Sequence, residues 1–280
     1  MIKTKKNMKK YSKLMALAML AIFSLTIVSC GGDDDDNSNG GNNGSDNDNV
    51  VNYVVNGVSF KMIKVKGGTF QMGATSEQVS DAEDDEKPAH QVTLSDYYIG
   101  ETEVTQDLWQ AVMGSNPSSF RSTGKLPVES ISWDDCQTFI TKLRTLTGQY
   151  FRLPTESEWE FAARGGTKSK GYKYSGSNDI DAVAWYRSNS EDGTHVVGTK
   201  APNELGIYDM SGNLWEFCQD WYGSYGNTPQ TNPTGPASGT YRVIRGGCWH
   251  SQPTRQLRVS DRSWFDEDGL NNMIGLRLAL

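Results

Sequence analysis

The stretch "NELGIYDMSGNLWEFCQDWY", residues 203–222, decides how the rest of this chain is read. Inside it, "DMSGNLWE" (209–216) sets oxygen-bearing groups at short intervals around a glycine. Carboxylates and backbone carbonyls on a tight turn are the hard ligands that calcium prefers. The same residues also describe an ordinary acidic turn, so by themselves they leave both readings open.

Around this stretch, long periodic segments are scarce. Trp185, Trp215, Trp221, Trp249 and Trp264 lie among glycines and prolines. That pattern predicts short strands and long packed loops held by aromatic anchors. The composition agrees: 36% of the 280 residues are hydrophobic, with 29 Gly and 8 Trp. The length suits one large domain or two small ones plus a tail. The formal net charge is −7, and the only lysine cluster lies at the very start, so nothing points to nucleic acid. The sequence shows no internal repeat.

The first part of the globular region is more regular. Residues 58–72, "VSFKMIKVKGGTFQM", alternate apolar and polar about Gly67–Gly68 and predict a hairpin or two short strands. Residues 91–104 predict a strand with a turn near Gly100. Thr105 caps a short helix that stops at Gly114. In "SWDDCQTFITKLRTLTG", Trp133, Cys136, Phe139, Ile140 and Leu143 recur at helical spacing. Ser132 and Asp135 form a capping box there, and Gly148 is the stop. A second box, Thr155 and Glu158, opens a helix that ends at Gly165 and turns Trp159, Phe161 and Ala162 inward. Glu156, Glu158 and Glu160 are expected to complement the helix dipole and to face water.

Residues 1–29 have the form of a secretory signal. Six lysines precede an apolar run, Leu14–Val28, and Ser29 stands at the break before Cys30. The run is short for a membrane span. An uncleaved signal anchor is the other reading. Ile27-Val28-Ser29-Cys30 resembles the lipobox of bacterial lipoproteins, which implies cleavage before Cys30 and acylation of its thiol. Residues 30–57 are expected to be the lipidated cysteine and a disordered acidic tether. Gly31 after the cysteine implies the outer membrane. The aspartate run resembles surface-export signals of Bacteroidetes lipoproteins, which implies display at the cell surface.

Seven segments together resemble one family. They are "GGTFQMG" (67–73), "EVTQDLW" (103–109), "VESISWDDC" (128–136), "RLPTESEWEFAARGG" (152–166), residues 203–222, "RVIRGGCW" (242–249) and "GLRLAL" (275–280). This is the pattern of formylglycine-generating enzymes, the sulfatase-modifying factors. It runs in order over residues 58–280. The resemblance implies a single α+β domain, a variant C-type-lectin-like fold with little regular secondary structure. It also implies calcium held by the Asp209 and Glu216 carboxylates and the Gly212 and Leu214 carbonyls. A second family calcium site falls near 184–194, where no ligands can be matched.

The enzymes of this family hold copper(I) with two cysteines after "RGG". A soft ion of this kind takes a thiolate pair. Aligned here, those positions are Ser251 and Gln256. Cys248 lies three positions too early and has no partner five residues on. A hydroxyl and a carboxamide do not replace a dithiolate, so copper is not expected. Cys136, Cys218 and Cys248 allow at most one disulfide. Cys136 is expected to be a small buried hydrophobe. A histidine-iron relative takes its ligands largely from an additional helical domain, and His90, His195 and His250 show no ligand spacing.

The expected function is therefore a cell-envelope lipoprotein with a binding or structural module, taking a protein, peptide or glycan. Its expected surface is Trp249, His250, Arg255, Arg258, Trp264 and Phe265. This end also resembles retroelement-diversified lectin-fold termini. The alternative is a diverged oxidoreductase or a non-haem iron enzyme.

Overall fold

A computed structural model describes residues 49–280. The leader, Cys30 and the aspartate run lie outside the described residues.

The domain begins earlier than expected. Val50–Val55 forms β1 and pairs antiparallel with β2, Val58–Val65, through the register Val55↔Val58. Asn56 and Gly57 make the two-residue turn between them, with φ of 48° and 85°. An Asn-Gly pair between alternating apolar residues is the preferred sequence for such a turn, because both positions need positive φ. The tether expected over residues 30–57 is therefore corrected: Val50–Val55 belong to the sheet and Asn56–Gly57 to its turn. Next come β3 (Gly68–Met72), β4 (His90–Leu94) and β5 (Tyr97–Gly100). β2 and β3 do not pair with each other. β2 lies between β1 and β5, while β3 pairs antiparallel with β4.

The helices follow their caps. Thr105 accepts from Leu108 N and opens α1, Gln106–Met113, which closes at left-handed Gly114. Ser132 and Asp135 cap α2, Trp133–Thr147, and Gly148 ends it. Thr155 and Glu158 cap α3, Glu156–Ala163. A four-residue α4, Ile180–Val183, follows. From there the chain runs mostly in loops until β6 (Trp215–Trp221). The later strands are β7 (Gln230–Thr231), β8 (Tyr241–Arg245), β9 (Arg262–Asp266) and β10 (Ile274–Leu276).

The four-stranded sheet β10-β6-β8-β9 separates two apolar clusters. Side chains alternate across a strand. On β6, Trp215 and Phe217 enter the cluster built around α1 and α2, while Cys218 enters the one built around α3. On β8, Ile244 and Val243 divide the same way. The face toward α3 therefore receives Glu216, Cys218 and Asp220 from β6 and Arg245 from β8. Trp159 Nε1 on α3 donates to Glu216 at 2.7 Å, and Glu156 N donates to Asp220 at 3.0 Å. The closing residues 277–280 stitch the domain together: Leu280 and Tyr98 exchange backbone hydrogen bonds at 2.9 and 3.1 Å, and Ala279 pairs with Arg152. No helix among the described residues is long and apolar enough to cross a membrane.

Candidate functional site

The segment after β8 begins with two glycines that the packing requires. Gly246 and Gly247 have φ of 100° and 74°. A Cβ on Gly247 would stand 2.7 Å from the Gln256 carbonyl, and one on Gly246 would stand 3.1 Å from the Trp159 ring. This close approach brings residues 248–257 onto α3 and the 209–216 turn. Trp249 N donates to Asn213 O at 2.8 Å.

Cys248 and Ser251 meet in the resulting turn. Ser251 N donates to Cys248 O at 2.9 Å, and Cys248 N donates to Ser251 Oγ at 2.9 Å. The Ser251 hydroxyl lies 3.7 Å from the Cys248 sulfur. Both side chains are buried. Gln256 is half-buried. Burial pushes the Cys248 thiol above its usual range, against hydrogen bonds from the backbone and Ser251. Cys136 and Cys218 are also free, buried thiols, each raised first by burial. Cys218 lies in the other apolar cluster from Cys248, and the structure joins none of the three in a disulfide. A thiolate is the nucleophilic and metal-binding form, so these are inert sulfurs. The site thus holds one protonated thiol beside an alcohol.

The turn at 209–216 is bent by left-handed residues, Asp209 at φ 58° and Asn213 at 62°. Gly212 sits against the Trp185 backbone, where a Cβ would come within 2.3 Å of its carbonyl oxygen. Asp209 accepts from Gly198 N at 2.7 Å. Glu103 joins from the segment before α1, accepting from Asn213 Nδ2 at 2.9 Å and Leu214 N at 3.1 Å. Sequence reasoning did not place Glu103 here, since it lies over 100 residues away. Glu216 meets protein donors on both oxygens. Its two oxygens accept from the Arg277 guanidinium at 2.6–3.1 Å and from Trp159 Nε1. Glu216 is thus already paired with Arg277 at 2.6 Å. Among the described residues no group of three or more acidic, His or Cys side chains is arranged to hold a metal. The charge is nonetheless unbalanced: Glu103, Asp209 and Glu216 face one guanidinium. Burial, with Asp209 and Glu216 nearby, raises the Glu103 carboxyl well above the ordinary range.

The α3 acids correct a second expectation. Glu156 and Glu160 are buried instead of facing water. Arg262 grips Glu156 through Nε at 2.8 Å and Nη2 at 2.7 Å. Arg245 Nη2 donates to Glu160 at 2.5 Å, and Gly73 N and Arg164 Nε reach its other oxygen at 2.8 Å. Arg258 holds Glu86 at 2.5 and 2.8 Å. Glu158 is half-buried at the margin, its side chain 12% exposed and bonded to Arg152. Burial opposes ionisation of Glu156 and Glu86, but the arginines prevail and hold both carboxyls below the usual range. Asp261 meets Arg258 only at 3.6 Å; burial and Glu86 push it up to about 8.

This network divides the expected binding surface. Arg258 is fully buried on Glu86, and Trp249 is 6% exposed, with its ring edge-on to Phe120 and its Nε1 donating to Asn272 O. Both are structural. Arg255 is half-exposed and pairs with Glu83 at 2.6 Å. His250 and Phe265 are half-buried, and Trp264 is 45% exposed, its ring tilted 34° against Tyr241 with centroids 4.0 Å apart.

Comparison with known proteins agrees with this construction. Residues 55–280 match the "Sulfatase-modifying factor enzyme 1-like domain". The chain is 35% identical to "Chaperone protein LppX" of Paenibacillus barcinonensis over 79% of its length and 90% of that protein's. It is 30% identical to the formylglycine-generating enzyme of Streptomyces coelicolor, covering 78% of this chain and 88% of that one. It also matches serine/threonine-protein kinase pkn1 of Chlamydia pneumoniae at 30% identity, but spans only 38% of that protein. Among solved structures, Treponema denticola variable protein 1 superposes with a TM-score of 0.74 at 34% identity, covering 82% of this chain and 98% of that one. PvdO of Pseudomonas aeruginosa gives 0.67 at 25% identity, covering 78% and 93%. The glycine-built turn, the buried arginine–carboxylate interior and these likenesses over the same residues establish that the chain belongs to the sulfatase-modifying factor family, whose fold is C-type-lectin-like.

Proposed function

We propose that this chain is a lipid-anchored envelope protein whose domain binds a partner and does not oxidise one. One observation carries the reading: where the family's chemistry needs a thiolate pair, the Ser251 hydroxyl packs on the buried, protonated Cys248 thiol. Copper(I) prefers soft thiolates and gains nothing from an alcohol and an amide. A relative named as a chaperone protein supports a binding role. The lipid anchor at Cys30 and the outer-membrane or cell-surface location rest on the leader sequence. The contact surface centres on the accessible members of the C-terminal set, His250, Arg255, Trp264 and Phe265. Its ligand is a protein, peptide or glycan. The surplus of carboxylate around Asp209 supports a calcium ion there, with Glu103 as a further acidic group beside it.

Copper(I) competition tests the central point. The protein is titrated with copper(I) in the presence of a chromogenic chelator. It is expected to leave the chelator–copper complex intact at equimolar protein. Stoichiometric withdrawal of copper would overturn the reading.

A further inference from the structure

Away from residues 246–257, a cleft of about 350 Å³ opens between α3, the end of β6 and the 223–236 loop. Met72, Trp221, Tyr225, Pro233 and Pro236 give it apolar and aromatic walls. Its polar lining includes His90, Glu156, Asp220 and Arg262.

The charges in this lining are unevenly matched. Glu156 receives Arg262 twice and the Tyr225 hydroxyl at 3.0 Å. Arg262 Nη1 is committed to the Gly223 and Asp85 carbonyls at 2.7 and 3.2 Å. Asp220 has no such partner. It is only 4% exposed, and one oxygen accepts from Glu156 N. Among the described residues no donor reaches the other oxygen. Burial, with Glu156 beside it, pushes its carboxyl up to about 8.

A desolvated carboxylate without a counter-ion is unfavourable, and a cation brought to it repairs the imbalance. Arg242 and Arg262 already lie over the Trp221 and Tyr225 rings at 3.5 and 4.0 Å, so these walls offer an organic cation apolar contact along its chain and leave the charge to Asp220. His90 packs on Tyr225 with ring centroids 4.8 Å apart, and its Nδ1 lies 3.2 Å from Pro88 O. Its other ring nitrogen is without a protein partner among the described residues and can accept. An anion would meet Asp220 and find most of the Arg262 hydrogens already taken.

We propose that this cleft binds the ammonium or guanidinium head of an alkyl cation, with Asp220 as counter-ion and Tyr225 and Trp221 along the alkyl chain. The site shares no residue with the C-terminal surface and stands or falls separately from it.

Isothermal titration of the full-length protein in mild detergent tests this, with n-butylguanidinium and n-butylammonium as probes and butyrate as control. Saturable binding of a cation and none of butyrate is expected. Asp220→Asn, which keeps an acceptor for Glu156 N, should weaken cation binding about tenfold or more. Unchanged affinity in that variant, no cation binding in the wild type, or equal binding of butyrate would each overturn the proposal. If Asp220→Asn does not fold, Thr234→Trp carries the test. Thr234 is exposed at the cleft, so the indole should block it and abolish binding. Unaltered binding there overturns the proposal too. Acetylated lysine and arginine amides form the second arm: tighter binding than the free amines assigns a peptide side chain, and weaker binding assigns a small amine.

Discussion

Glu160→Ala should be among the most damaging single changes in this domain. Glu160 is fully buried and takes donors from three separate parts of the chain: Gly73 N after β3, Arg164 beyond α3 and Arg245 on β8. Truncation leaves Arg245 buried with its charge uncompensated and Gly73 N without an acceptor. Breaking a buried ion pair from one side costs about 3–5 kcal/mol. Glu156 lies 3.7 Å from Arg245 Nη1 and takes up part of the charge, which favours the lower end. For a domain of this size, about 3 kcal/mol lowers Tm by roughly 6–12 °C. Urea denaturation followed by tryptophan fluorescence reads the loss as a shifted midpoint at unchanged slope. Glu160→Gln keeps an acceptor for Gly73 N, so the loss shared by both variants isolates the charge. Pairing Glu160→Met with Arg245→Met should restore stability relative to either single change. A Glu160→Ala protein within about 1 kcal/mol of wild type would refute the claim that this pair is formed and dry.

Further outcomes follow from other parts of the structure. The Asp261 carboxyl has a folded pKa of about 8 against an unfolded value near 3.9, so the native state holds the extra proton. Its contribution to stability therefore falls as pH rises from about 4 to about 8. Asp261→Asn should flatten that decline in melts across this range, and an unchanged slope would count against it. Glu86 and Glu156, with lowered pKa values, contribute in the opposite sense: their stabilisation is lost on acidification below the ordinary glutamate range. Gly247→Ala should destabilise through both its positive φ and its contact with the Gln256 carbonyl, seen as a lower urea midpoint. If calcium occupies the Asp209 region, a chelator should lower the wild-type Tm and leave Asp209→Ala unmoved. Equal melting of wild type with and without chelator would remove the ion from the account.

Much of the scaffold is legible in the sequence. Capping boxes at Ser132 and Thr155 and stops at Gly114 and Gly148 fix the helices, because orphan backbone donors and left-handed closures demand particular residue types. The segment order from "GGTFQMG" to "GLRLAL" carried the fold. The β1 strand is also legible, in the apolar run Val50–Val55 before Asn56-Gly57, although the tether expectation covers it. The buried charges were not legible. Nothing local distinguishes Glu160, which turns inward, from Glu158, which stays at the rim; the difference is the arrival of Arg245 from 85 residues away. Arg258 read as a surface anchor for the same reason, since its partner Glu86 lies 172 positions upstream. Hydropathy patterning sees side-chain polarity, while these residues are placed by long-range pairing. Ser251 and Gln256 are a matter of residue type and not of placement, so the sequence displays them directly.

The most direct measurement is turnover. The purified protein is incubated with copper, oxygen, a thiol reductant and a peptide bearing a sulfatase-type cysteine, and the peptide is followed by mass spectrometry. The account predicts that the peptide cysteine is recovered unchanged and that copper does not alter the outcome. Copper-dependent appearance of the formylglycine product would contradict it.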